Sequence, residues 1–512
     1  MILSSFTKNE KITLAAFAGG AFLLHCIINL TSAYGFFRDE LYYIACSEHL
    51  AWGYVDQPPF SIFLLKLSRW IFGDSLAAIR FVPALVHAGT VFVTGIIIKE
   101  MNGKWFAIFI GCLAVVVSPI HQGMASIYSM NSIDILIWAL SFYLMLKIIN
   151  TEHQSYWIAL GIVLGIGLLN KISVLFLGAG IFTGILFTSR QWLTTRWPYL
   201  SGLLALLLFL PYVIWNMNHD LAHLEFIRNA SEGKYASRSY ADFIVDQVLQ
   251  LNPITLPLWI CGLLALFLYT PLKKFRLLGW MYLTAFLILL INRTSKGEYI
   301  APAYVILFSA GGIFLEQKLN GRFLYWVRYA YPFVLVISFI GLMPLIMPVL
   351  PVERYIAYAK EIGMEPSSSE NKQLAELPQH YADMFGWEEK ARDVATVFET
   401  LSPEDQMKCA IVSSNYGRCG AIDFFGERYG LPKSIGTHNN YWIWGPGDYT
   451  GEVLLILGGE KSDHENDFNS VELAGVSSCQ YCMPYENNVN IFICRGLKYP
   501  VKDIWPHEKH YD

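Results

Sequence analysis

The sequence is poor in charge. Only 15% of its 512 residues are Asp, Glu, Lys or Arg, against about 25% in an ordinary globular chain. Its 37 Lys and Arg against 41 Asp and Glu give a net charge of −4, so no basic excess points to nucleic acid. An internal repeat is also missing, which argues against a transporter built from repeated halves. The first apolar run, near Ile12–Leu30, lacks a clear small-residue cleavage site, so a retained helix is expected rather than a removed signal peptide. In place of charge stand apolar residues: 54% hydrophobic and 15% aromatic, with a mean hydropathy of +0.39. Such a composition belongs to a membrane protein.

A helix crossing a bilayer needs ~20 mostly apolar residues. About eleven segments approach that length: 12–31, 78–98, 105–119, 132–149, 156–170, 172–188, 198–215, 254–270, 277–292, 299–315 and 330–350. Alternate loops carry Lys8 and Lys11, Lys99 and Lys104, Arg190 and Arg196, Lys273, Lys274 and Arg276, and Lys318, Arg322 and Arg328. Positive loops face the cytoplasm, which places the N-terminus there. The opposite loops, 32–77, 120–131, 216–253 and 293–298, then face outward. An odd number of spans puts 351–512 outside as well. The expected organisation is a transmembrane domain over 1–350 and a periplasmic or extracellular domain over 351–512.

The first external loop reads as more than a linker. Residues 39–50 suit a short helix. Pro58-Pro59 suits the opening of a second, since proline fits the first helical turn. "FSIFLLKLSRWIFG" is apolar with Lys66 and Arg69 on one side, as in a helix lying in the membrane interface; re-entrant packing is the alternative. In 351–512, "MFGWEEKARDVATVFETL" has helical periodicity, "KCAIVS" and "EVLLILG" read as buried strands, and "AIDFFGERYG" as a helix closed by Gly430. Together they predict a soluble α/β domain.

The charges that remain sit where chemistry would need them. Asp39 and Glu40 begin a predicted helix, where carboxylates favour the positive helix end; alternatively, one is a general base and the other orients it or the acceptor. Asp56 and Gln57, in "GYVDQPP", follow in the same loop, either as turn chemistry or as substrate contacts. Asn131 and Asp134, in "SMNSIDILIW", give a capping-like pattern at a span entrance, yet an ionisable group there is a functional candidate. Lys171 interrupts an apolar stretch, and Arg228, Arg293 and Lys296 join it on the outward side, against the positive-inside bias. A phosphate at the outer surface would account for them, because Lys and Arg bind phosphate through charge-assisted hydrogen bonds.

Read in order, "RDELYY", "YVDQPP", "MNSID", "LLNK" and "SKGEYIAPAY" resemble the membrane glycosyltransferases of the GT-C class. The nearest likeness is to family 39, the protein O-mannosyltransferases and the lipid A aminoarabinose transferase, and it covers about residues 1–320. The resemblance implies a polyprenyl-phosphate sugar donor, inversion at the anomeric carbon and a bacterial inner-membrane location. It implies Asp39 as base with Glu40 beside it, and Lys171 and Lys296 near the lipid phosphate, with Arg228 a looser match; by its charge and outward placement Arg293 is read with these cations. Asp56, Gln57, Asn131, Asp134 and Tyr299 are then substrate contacts. Where the lipid A transferases carry Glu-Lys before Pro-Pro, this chain has Asp56-Gln57, which removes an expected phosphate contact and leaves both the lipid A acceptor and a divalent metal open. The expected partners are a lipid-linked sugar, a glycan, lipid or protein hydroxyl acceptor, and membrane lipid.

Five cysteines lie in the predicted outer domain, among them Cys479 and Cys482 of "CQYC". They allow a bridge, half of a zinc site or free thiols. "THNNYWIWGPGDY" gathers amides and rings that suit a sugar, or a loop packed on its own domain. The expected function is inverting glycosyl transfer at the outer membrane face; the alternative is a lipid-linked sugar transporter or flippase without chemistry.

Overall fold

The computed structural model describes residues 2–235, 237–321, 324–368, 370 and 372–512. Arg322, one of the loop cations, lies outside the described residues. The chain is a polytopic helical membrane protein with a C-terminal sheet domain. It divides into two compact units: Met1–Ser32, Ser68–Ile214 and Ser237–Leu350 form one, and Ala33–Leu67, Trp215–Ala236 and Pro351–Asp512 the other.

The first unit is helical. Among the described residues, seven helices are long and apolar enough to cross a bilayer: Lys8–Thr31, Leu76–Glu100, Met130–Thr151, Trp197–Met217, Lys273–Ile291, Gly297–Lys318 and Val327–Leu345. The predicted spans 105–119 and 254–270 each belong to a bent pair whose other helix falls in a segment read as a loop: Trp105–Val116 with Pro119–Ala125 at 61°, and Tyr240–Gln250 with Pro253–Leu268 at 94°. Prolines at 119 and 253 mark both breaks. The two segments flanking Lys171, Ser155–Asn170 and Val174–Thr188, are shorter apolar helices. The eleven predicted segments are thus all helical, and seven of them lie in helices that are by themselves long and apolar enough to cross a bilayer. Small residues let helices touch backbone to backbone. Gly262 faces the Leu307 carbonyl and Gly311 the Leu258 carbonyl, and a Cβ at either would collide.

The second unit is built on a five-stranded sheet, with β1 Cys409–Ser413, β2 Ser434–Gly436, β3 Val453–Leu457, β4 Phe468–Ser477 and β5 Val489–Leu497. The order is β2-β1-β3-β5-β4. β1 runs parallel to β2 and β3, whereas β5 is antiparallel to β3 and β4. The helices Trp387–Phe398 and Tyr416–Phe425 bury Val394, Ile422 and Phe425 with Ile411, Leu455 and Ile491. The same core takes Leu41, from the helix Arg38–Glu48 of the first loop. That helix crosses Tyr416–Phe425 closely, because Gly417 and Gly420 leave room. A Cβ on Gly417 would lie 2.6 Å from Arg38 Cγ, and one on Gly420 2.9 Å from the Leu41 carbonyl carbon. This crossing places the first-loop acids against the sheet domain. The strands predicted in "KCAIVS" and "EVLLILG" are present as β1 and β3; the helix predicted in "MFGWEEKARDVATVFETL" runs over Trp387–Phe398, and the one predicted in "AIDFFGERYG" is the end of Tyr416–Phe425 followed by a 3₁₀ turn, Gly426–Tyr429, which Gly430 closes in a left-handed conformation (φ 68°). Pro58-Pro59 precedes the helix Phe60–Phe72, whose Phe63, Trp70 and Ile71 are exposed as an interfacial helix requires.

Candidate active site

Asp39 and Glu40 are neighbours in sequence with different tasks. Glu40 is buried and turns back on its own helix, where its Oε2 accepts the Phe37 N–H at 2.8 Å. It satisfies one of the open donors of the first turn, which corrects its expected place beside the base. Asp39 points the other way. Its Oδ1 accepts from the Tyr416 hydroxyl at 2.8 Å and from Arg38 Nε at 3.3 Å, and its side chain stays 39% exposed. Crowding by protein would raise the carboxyl's pKa, but the Arg38 guanidinium, the Lys234 ammonium and the Tyr416 hydroxyl outweigh it and hold it below its usual range. Lys234 arrives at the end of a π-helical turn, Ala230–Lys234, and lies 5.9 Å from the Tyr416 ring centroid.

Arg38 serves several carboxylates at once. Its guanidinium is also 3.8 Å from Asp383 and 3.7 Å from Glu370, and donates to the Tyr485 hydroxyl at 2.8 Å. Burial pushes Asp383 up to about 7, against the pull of Arg38 and with the repulsion of Asp39 and Glu370. The folded protein therefore holds a proton that the unfolded chain releases near its ordinary pKa of 3.8. The resulting stability is full below that value and lost as pH rises through about 7, an effect of roughly 4 kcal/mol. The thermal midpoint of the wild type should fall between about pH 5 and 7.5, and Asp383→Asn should flatten that slope. A slope unchanged in the variant would assign the proton elsewhere.

Asp56 and Gln57 are held in the same unit. Tyr42 donates to Asp56 Oδ1 at 3.0 Å, its hydroxyl also lying 3.2 Å from Asn440 Oδ1. Burial raises Asp56 to about 6, opposed by the Tyr42 hydrogen bond. Gln57 is fully buried, and neither its Oε1 nor its Nε2 finds a partner among the described residues. A buried amide without a partner is costly. Of the "THNNYWIWGPGDY" residues, Asn440 also accepts the Val55 N–H at 2.7 Å, and Tyr441 donates to Asp423 at 2.7 Å. Those two side chains serve packing. Arg228 departs from its expected role: its side chain is 76% exposed and pairs with Glu232 at 3.1 Å, one turn on along the chain.

The helical unit brings together a second group. Lys171 ends the helix Ser155–Asn170 in an extended conformation. Its Nζ donates to Asn131 Oδ1 at 2.7 Å, lies 4.0 Å from Asp134 Oδ2, and stands 4.7 Å over the Tyr299 ring. Ser173 donates to the same Asp134 oxygen at 3.3 Å, while Asp134 Oδ1 has no partner among the described residues. Glu298 and Lys296 are further charges acting on Lys171. Asn131 is not the helix cap: Ser129 caps, accepting the Asn131 N–H, and frees the Asn131 amide for the lysine. Arg293 makes other contacts: its guanidinium donates to the Arg238 carbonyl at 3.2 Å and lies 6.0 Å from the Tyr240 ring centroid.

For a metal, His438, His510 and Asp512 offer ligand atoms within 4.8 Å of one another. Two imidazoles and a carboxylate suit zinc. Here both ring nitrogens meet Asp512 Oδ1, at 2.7 and 3.2 Å. All nine cysteines are thiols, and Cys482 Sγ donates to the Cys479 carbonyl at 3.2 Å. Sequence reasoning misses Arg38, although it stands in "RDELYY", and Tyr42, Lys234, Asp383 and Tyr416. For Tyr416, 377 positions from Asp39, no local pattern carries a signal.

Residues 56–215 match the family described as dolichyl-phosphate-mannose-protein mannosyltransferase. Lipid A galacturonosyltransferase RgtD of Rhizobium johnstonii is 23% identical over 270 residues, 52% of this chain and 56% of the relative. The chain thus spans little more than half the length of that curated relative. ArnT from Cupriavidus metallidurans, solved bound to undecaprenyl phosphate, superposes with a TM-score of 0.61 at 12% identity, covering 94% of this chain and 97% of that one. The archaeal oligosaccharyltransferase AglB from Archaeoglobus fulgidus, solved with an inhibitory peptide and a dolichol-phosphate, gives a TM-score of 0.53 at 13% identity, covering 84% and 65%. At such identities the likeness establishes a shared fold.

Proposed function

We infer, from the GT-C glycosyltransferase fold that this chain carries, that it moves a sugar from a polyprenyl-phosphate donor to a hydroxyl acceptor at the outer face of the membrane. The observation that carries this reading is Asp39: a partly exposed carboxylate, kept ionised by Arg38, Lys234 and Tyr416. The acceptor oxygen attacks the anomeric carbon as the bond to the phosphate oxygen breaks, with inversion. The hydroxyl proton passes to Asp39, and polyprenyl phosphate leaves as an anion. A phosphate is stable once expelled, so no acid has to protonate it, unlike the leaving group of glycoside hydrolysis. A carboxylate with a depressed pKa is a weak base. It suffices because the attacking hydroxyl becomes strongly acidic only as its bond to carbon forms.

Lys171, with Lys296, is assigned to the donor phosphate. Its present partners, the Asn131 amide and the Asp134 carboxylate, hold the ammonium in place and leave donor capacity for phosphate oxygens. The test is release of polyprenyl phosphate from a polyprenyl-phosphate sugar by the full chain in liposomes containing envelope lipids. Lys171→Met should raise the KM for donor about 10- to 100-fold, the loss of one charge-assisted hydrogen bond, with Lys171→Arg recovering part of it. An unchanged donor KM in Lys171→Met would remove the lysine from the phosphate site.

A further inference from the structure

A cavity in the sheet-bearing unit has no place in the chemistry above. It measures about 400 Å³ and is lined by Asp220, Glu225, Trp442, Trp505, Lys509 and Tyr511, among others. That volume lies in the range of small-molecule sites. Its two indoles are fixed by a reciprocal exchange: Trp442 Nε1 donates to the Trp505 carbonyl at 2.9 Å, and Trp505 Nε1 to the Trp442 carbonyl at 3.1 Å. Both N–H groups are satisfied within the protein, so the rings offer rigid apolar surface at little entropic cost. Tyr511 meets Trp442 edge to face.

The polar wall is held with similar firmness. Glu225 pairs with Lys509 at 2.8 Å. Asp220 is presented by a turn in which it and Leu221 both adopt left-handed backbone, with φ of 53° and 57°. That conformation is unusual for a residue as bulky as leucine. Leu221 is 48% exposed, so its own packing does not compensate the strain, and strain of this kind collects at ligand sites. Among these six residues the charges sum to negative, because Lys509 answers only one of the two carboxylates. A phosphorylated or sulfated ligand would be repelled. Hydroxyl or ammonium groups would find acceptors.

The cavity also has a definite relation to Asp39. In the closing segment of the chain, the backbone of His510 donates to Thr437 and accepts from Asn439, so the segment is extended and its side chains alternate. Lys509 and Tyr511 turn to the cavity. His510 and Asp512 turn to His438, whose ring lies 4.7 Å from that of Tyr416, the donor to Asp39. The cavity and the base thus lie on the two sides of one extended segment.

We propose that this cavity is a subsite for the acceptor, holding a neutral or amino-substituted pyranose of a glycan while another hydroxyl of that glycan reaches Asp39. The proposal rests on the reading of the chain as a glycosyltransferase. The test is saturation-transfer NMR on the full chain in lipid nanodiscs, with methyl β-glucoside, methyl β-glucosaminide and glucose 6-phosphate as probes. Irradiating the aromatic protons should transfer saturation to the ring protons of at least one of the first two, and not to the phosphate. The double variant Asp220→Asn, Glu225→Gln, which keeps both turn and rings, should reduce the transfer at least fivefold, and Asp39→Asn should leave it intact. No transfer in the wild type, equal transfer to glucose 6-phosphate, or transfer undiminished in the double variant would overturn the subsite. The two readings fail separately: sugar transfer that survives Asp39→Asn sinks the catalytic assignment, whatever binds in the cavity.

Discussion

Asp39→Asn should reduce sugar transfer by about 10²- to 10⁴-fold, the range a general base contributes, while the protein still folds and still binds donor. The asparagine can keep the Tyr416 hydrogen bond at its amide oxygen, so packing of the helix Arg38–Glu48 on Tyr416–Phe425 is preserved. What is lost is a group that can take the acceptor's proton. The measurement is single-turnover release of polyprenyl phosphate, with thermal unfolding as the control for folding. A variant that transfers at the wild-type rate would remove Asp39 as the base. Glu40→Ala, which removes the acceptor of the Phe37 N–H, gives the contrast. Because Glu40 is buried in a contact with the Phe37 N–H, its loss should lower thermal stability more than it lowers the rate of the surviving folded enzyme.

Arg38→Met carries the second large effect. The guanidinium is 7% exposed and stands among Asp39, Asp383 and Glu370. Removing one partner from a buried charge group costs about 3 to 5 kcal/mol, because the charges left behind are uncompensated. The carboxylates would relieve their repulsion by taking up protons. Asp39, held low chiefly by Arg38 in the wild type, should then titrate at higher pH. The acid limb of the pH–rate profile should move up by one or more units, as expected when an opposite charge is removed. Arg38→Lys should restore part of both, since it returns the charge without the planar fork. A variant with unchanged stability and an unmoved acid limb would show that Arg38 neither supports the fold nor sets the base.

Much of this arrangement is legible in the sequence, for physical reasons that differ from part to part. The apolar segments show because lipid demands them, and the structure makes every one a helix; their break at Pro119 and Pro253 is what sequence hydropathy does not resolve. Lys171, Asn131 and Asp134 are legible because ions are expensive in apolar surroundings, and they do meet. What is not legible is direction. Asp39 and Glu40 share a first turn, and only the capping contact at Phe37 decides that Glu40 looks inward. Strands β1 and β3 are buried apolar runs and can be read. β4 cannot: its residues between Phe468 and Ser477 are mostly exposed or half-exposed, so no period-two signal marks it. Arg228 stands out in the sequence as a cation in a loop that the charge pattern reads as outward, yet a neighbouring glutamate one helical turn away answers that charge at the surface.

Asp39 as the group that faces the donor's anomeric carbon is the central claim. The most direct test is an experimental structure of the Asp39→Asn protein with a polyprenyl-phosphate sugar bound. The sugar's anomeric carbon is expected to lie open to attack from the side of residue 39. A sugar turned away from residue 39 would contradict the claim.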